Sequence, residues 1–171
     1  MNAAYTLLII ALSLASVVLH SNGASVTAST CPDDWVLFGD SCYNFRKENV
    51  QWDKAVSLCK ELKGYLVEIN SAAENSWLAS QVKERGLVLT WIGATDIVKE
   101  GTFRWVTSNE LVGNVTYFHE GQPNNIDNGE HCLEIDGGSG VYKWADDECY
   151  LTKNCVCERA ISKQSPKNVC E

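Results

Sequence analysis

Basic side chains are scarce in this sequence. Lysine and arginine number 14 against 22 aspartates and glutamates, for a formal net charge of -8. Phosphate binding needs clustered lysine and arginine, so the balance argues against nucleic acid as a partner. The whole acidic excess lies beyond residue 30, where it aids solubility. Long apolar runs are also missing, apart from Leu7 to Leu19. That run is too short to span a bilayer comfortably, and no later segment is apolar enough for a membrane span. Followed by the small residues Ser21, Gly23 and Ala24, it reads as a secretory signal peptide over residues 1–24. The expected localisation is therefore secreted and extracellular. Catalytic signatures are absent too. His119-Glu120 lacks the second histidine of a zinc-protease helix, and no Gly-x-Ser-x-Gly elbow occurs. No enzyme is expected.

Cysteine, by contrast, is plentiful, with all 8 residues following the signal peptide. Their spacing is not that of a zinc site, and in a secreted chain it implies a disulfide framework. Residues 25–30 read as a short leader, residues 31–160 as one domain, and residues 161–171 as a loose polar tail. Cys31 and Cys42 bracket a strand-turn-strand segment, so a local hairpin bridge is expected. Trp52, Ala55, Val56, Cys59 and Leu62 recur at helical spacing, with Asn49 to cap the start and Gly64 to end it. Ser71 and Glu74 form a capping box for a second helix that Gly86 stops, with Ala73, Trp77, Leu78 and Val82 inward. Strands are expected at Tyr65–Ile69, Leu87–Ala94, Phe103–Val106, Cys132–Ile135, Val141–Trp144 and Cys155–Glu158. Residues 107–130 show no strong period, and so long a loop in a compact domain points to function.

Within that loop, Gln122-Pro123-Asn124-Asn125-Ile126-Asp127-Asn128-Gly129-Glu130 is crowded with side-chain oxygens, and Asp146-Asp147-Glu148 lies further on. No lysine or arginine falls between Asn114 and His131. Calcium takes six to eight oxygen ligands, so this is a calcium-type composition. Asn114-Val115-Thr116 is an N-glycosylation sequon just upstream.

The order of these features resembles the C-type lectin-like domain family in its long form. The resemblance rests on Cys31-Pro32, Cys42-Tyr43, Trp91-Ile92-Gly93, Gln122-Pro123-Asn124, Glu130 before Cys132, Trp144 with Asp146, and Cys157-Glu158. It implies an α+β fold of two helices, two small antiparallel sheets and a long loop region. It also implies the disulfides Cys31–Cys42, Cys59–Cys157 and Cys132–Cys149. Cys155 and Cys170 are then left over, either bridging to each other or linking two chains as a homo-oligomer.

The same resemblance implies a cis Gln122-Pro123 bond and a calcium ion (Ca2+) held by Gln122, Asn124, Glu130 and Asp146. A sugar's adjacent hydroxyls would complete its coordination. A second, weaker metal site would use Asp96, Glu100, Asn125 and Glu130, with His131 standing where the family usually has an aspartate. Two departures stand out. Trp144-Ala145-Asp146 replaces the family's Trp-Asn-Asp, and Gln-Pro-Asn lies between the loops associated with mannose-type and galactose-type sugars. The function implied is a secreted, calcium-dependent carbohydrate-binding protein of innate immune recognition. The alternative is a calcium-independent lectin-like protein that binds protein or belongs to a biomineral matrix. Trp144 is expected in the core, and Tyr142 either in the core or as a sugar-stacking face.

Overall fold

The computed structural model describes residues 31–113 and 117–161. The expected signal peptide and leader, the Asn114 sequon and Cys170 all lie outside the described residues. The chain runs β1 (Val36–Phe38), β2 (Ser41–Val50), α1 (Trp52–Glu61), β3 (Tyr65–Leu66), α2 (Ala72–Glu84), β4 (Leu89–Thr95) and β5 (Arg104–Trp105). A single 3-10 turn (Ile126–Asn128) follows, then β6 (Glu130–Asp136), β7 (Lys143–Glu148) and β8 (Lys153–Ala160). β1, β2, β8 and β3 form one antiparallel ladder, and β4, β5, β6 and β7 another. The two expected sheets are joined by a short parallel contact of Thr90 and Trp91 with Asn154 and Cys155. Among the described residues no helix is long and apolar enough to cross a membrane.

The helix ends show where local sequence sufficed and where it did not. Ser71 caps α2 by accepting from the Glu74 amide at 3.1 Å. The Glu74 carboxylate reaches one residue further back than a reciprocal box requires, to the Asn70 amide at 2.9 Å. It also accepts from the Tyr43 hydroxyl at 2.8 Å, which ties the helix to β2. Gly86 stops this helix in the left-handed region, at φ +68°. Asn49 does not cap α1. It lies within β2, and the N-cap is Gln51, whose side chain makes no cap bond. The carbonyl of Cys149, distant in sequence, accepts from the Trp52 amide at 3.0 Å instead. Gly64 acts through close approach, because a Cβ there would lie 2.4 Å from the Glu158 carbonyl. Lys63 takes the left-handed turn before it, at φ 62°. Ala73 is exposed, whereas Leu78 and Val82 face inward as expected.

Two apolar clusters make the core. One gathers Val67, Leu78, Val82, Ile92, Leu133, Ile135, Trp105 and Trp144 between α2 and the sheets. The other gathers Trp52, Ala55, Cys59, Leu66 and Trp91 around α1. The indole N–H groups of Trp52, Trp91 and Trp144 donate to Ile92 O, Val50 O and Asn75 Oδ1 at 2.9, 3.0 and 2.9 Å, so burial leaves none unpaired. The three expected disulfides are present: Cys31–Cys42, Cys59–Cys157 and Cys132–Cys149. Cys59–Cys157 spans 98 residues, a constraint on the unfolded chain worth roughly 4–5 kcal/mol in the chain-entropy account. Cys155 has no disulfide among the described residues and is fully enclosed, and burial pushes its thiol up to about 12. A thiol so placed is a poor link to a second chain.

Candidate functional site

The loop that carries the expected site is pinned at its start by β7. Trp144 donates its amide to the Tyr117 carbonyl at 2.9 Å and accepts from the His119 amide at 2.9 Å. Trp144 itself is buried against Trp105, Tyr117 and Phe118, so this pairing rests on core packing. A turn follows, in which the Gln122 amide donates to the His119 carbonyl at 3.1 Å. The Gln122-Pro123 bond is cis. Asp146, two residues beyond Trp144 and 3% exposed, then accepts both loop amides. Asn124 N donates to its Oδ1 at 3.0 Å and Asn125 N to its Oδ2 at 2.9 Å.

Glu130 closes the other side. Its carboxylate accepts from the Ile126 amide at 3.1 Å, while its own amide donates to Asn125 Oδ1 at 3.1 Å. Between these anchors Asn125, Asp127 and Asn128 all adopt positive φ, which asparagine and aspartate tolerate better than most residues. Burial raises the Glu130 carboxyl above its usual range, the Ile126 amide opposes this, and Asp146, Asp147 and Glu148 reinforce it. A cation would relieve that repulsion. Asn124 is exposed, and Gln122 is half-buried with its Oε1 enclosed and without any hydrogen-bond partner. A buried amide oxygen normally has a partner, and a hard cation is one that fits an oxygen donor. Backbone amides thus hold Asp146 and Glu130, while Gln122 keeps a free oxygen. The donor set suits calcium.

Ala145, by contrast, presents only a buried methyl, opposite Glu134 on β6. The nearby Lys153, which sequence reasoning did not single out, is 2% exposed and stacks over the Trp91 ring at 4.4 Å. It pairs with Glu134 at 2.6 Å and also with Asp147, so Asp147 already has a cationic partner beside Asp146. Flanked by the polar Thr152 and Asn154, this lysine gave no signal beyond that of an exposed charge. Tyr142 is half-buried and packs against the core.

The residues of the expected second site do not all gather. Asp96 and Glu100 converge on His131, at 3.0 and 3.4 Å from its Nδ1. Glu130 is outside that group, and Asn125 commits its side-chain oxygen to the Glu130 amide. His131 is the extra residue of a β-bulge, because β6 and β7 slip by one between the pairs Glu130–Glu148 and Cys132–Asp147.

Known proteins share this fold. Residues 48–159 match the family described as the Lectin C-type domain. The human CD209 antigen is 34% identical over 136 residues, covering 79% of this chain. The chain spans only 32% of that relative's length. The mouse scavenger receptor C-type lectin carbohydrate-recognition domain superposes with a TM-score of 0.71 at 30% identity, over 78% of this chain and 100% of that one. The cow C-type carbohydrate-recognition domain of CD23, solved in the presence of a GlcNAc2Man3 oligosaccharide, gives 0.70 at 31% identity over 78% and 98%. With the family's profile matched from the end of β2 to the end of β8, and its fold shared with solved members, the chain belongs to the C-type lectin domain family.

Proposed function

We propose that this chain is an extracellular protein that binds carbohydrate through calcium held by Gln122, Asn124, Glu130 and Asp146. One observation carries the reading: the enclosed Gln122 Oε1 lacks a partner in the loop that Asp146 and Glu130 hold in place. When bound, calcium would supply a centre that a sugar's adjacent hydroxyls coordinate. The protein's own part is orientation. Asp146 fixes the backbone of residues 124 and 125, and the Ile126 amide fixes one oxygen of Glu130. Gln122 and Asn124 each bring an amide donor beside an oxygen, while the two carboxylates accept. Hydroxyls can therefore both give and receive hydrogen bonds here. No bond is made or broken, and the protein is a binder rather than an enzyme.

Only Glu130 and Asp146 of the four ligands carry charge, which places calcium affinity in the extracellular millimolar range. A single sugar contact would be worth about 4 kcal/mol, so useful avidity requires several copies or a multivalent glycan. The two amide side chains of Gln122 and Asn124 leave galactose-type and mannose-type ligands both open. Ala145 favours a second reading, a calcium-independent protein binder, because its methyl supplies no ligand. Chromatography of the secreted chain on immobilised galactose and mannose separates the two. Retention in millimolar calcium with release by chelator supports the first. Passage through both columns and no signal on a broad glycan array, with calcium present, would sink it.

A further inference from the structure

We propose that Asp96, Glu100 and His131 form a binding site for a borderline divalent transition metal, zinc being the natural occupant, distinct from the oxygen-only site around Gln122. A carboxylate oxygen of Asp96, one of Glu100 and a ring nitrogen of His131 all lie within 4.8 Å of one another. The Asp96 Oδ1 to His131 Nδ1 distance is 3.0 Å, and that from His131 Nδ1 to Glu100 Oε2 is 3.4 Å. A tetrahedron with bonds of ~2.05 Å has edges of about 3.4 Å, so both contacts are near the separation of two ligands on one zinc ion. Calcium does not suit this set, because it takes oxygen ligands and an imidazole nitrogen faces the centre. Zinc accepts imidazole and carboxylate together.

The supports are rigid where zinc needs them to be. Asp96 follows β4 directly, with its side chain 1% exposed. The Gly101 amide donates to its Oδ2 at 2.7 Å, which leaves Oδ1 turned to the imidazole. The His131 carbonyl accepts from Thr95 Oγ1 at 2.7 Å and from the Asp96 amide at 3.1 Å, locking β6 against the end of β4. Cys132, the next residue, is tied to Cys149. Glu100 rides on a turn closed by the Lys99 amide on the Asp96 carbonyl at 2.8 Å, and its side chain is 57% exposed, so it can adjust. His131, at 30%, opens one side to water, which would take the fourth position of a three-ligand site. The metal would take the place of the hydrogen bond between Asp96 Oδ1 and His131 Nδ1. This site does not depend on calcium at Gln122.

The test uses the full secreted chain stripped with chelator, titrated with zinc and with cobalt(II) as a coloured substitute. One equivalent of cobalt producing visible bands, displaced by zinc, together with a zinc-dependent rise in melting temperature, is the expected result. His131→Ala should weaken zinc at least ~100-fold, given that losing even an outer-shell partner costs 10–100-fold. Glu100→Gln, at an exposed position, serves as a second variant that leaves the core untouched, and it should also weaken zinc. Gln122→Ala should leave zinc binding unchanged while abolishing calcium-dependent retention on sugar. No zinc-dependent shift at millimolar metal, or full binding retained in His131→Ala, would overturn the site.

Discussion

Glu130 and His131 are neighbours in one strand, yet they serve two regions of opposite character. Glu130 joins the loop of residues 122–126, where amides and carboxylates stand around an amide oxygen with no partner. His131, displaced by a bulge, turns to Asp96 and Glu100 and supplies a nitrogen to both. The first region has its acidic groups held by neutral backbone amides, so their charge remains to be balanced. In the second an imidazole already sits among the carboxylates. The difference teaches that acidic crowding alone does not define a calcium site. What decides is whether the remaining donors are oxygen and whether they still lack partners.

The sharpest way to break this comparison is at Asp146. Asp146→Ala removes a ligand and the acceptor of two loop amides, so calcium-dependent sugar retention should vanish. Stability without calcium should also fall, by about 2 kcal/mol in a denaturant titration. Unchanged calcium binding in that variant would mean the loop is held by something else. A smaller effect is expected at Ala145. Ala145→Asn restores an amide beside Asp146 and should tighten calcium by a factor of about 3 to 10 in a calorimetric titration. No tightening would show that ligand number does not limit the first region.

The smallest effect concerns a carboxylate outside both regions. Burial raises Glu158 to about 7, with Glu74 adding to the shift and Ser41, Tyr65 and the Glu68 amide opposing it. A carboxyl raised in the folded state is favoured when protonated. Its stabilising contribution is therefore full below its ordinary value near 4.5 and is lost as pH rises through about 7. Glu158→Gln should flatten the fall in melting temperature between pH 5 and 8, with the two acidic regions untouched. An unaltered profile would place the pH dependence at another buried carboxylate, Glu134 first, which burial likewise raises to about 7.

Much of the fold was legible because it depends on near neighbours in the chain. The Ser71 cap, the stop at Gly86, the inward Leu78 and Val82 and the β-branched run before Trp91-Ile92-Gly93 are local patterns, and each recurs in the structure. The α1 start was not legible, since Asn49 is an apt cap and only the approach of Cys149 supplies the real acceptor. Gly64 was found for the wrong reason, because the Glu158 carbonyl that needs its bare Cα is far along the chain. Around the site, Gln122, Asn124, Glu130 and Asp146 were named from motif order. Lys153 was not, since a buried lysine is recognised only once Glu134, Asp147 and Trp91 surround it.

By itself, the sequence determined the helices through periodicity and the family through motif order, and the family resemblance implied the three disulfides now seen. Only the tertiary structure decided which acids meet. Asp146 takes the amides of a loop more than twenty residues away, and a one-residue bulge sends His131 to Asp96 rather than to the Glu130 side. Neither outcome has a local cause, since the first needs a loop folded back onto β7 and the second a bulge in the pairing of β6 with β7.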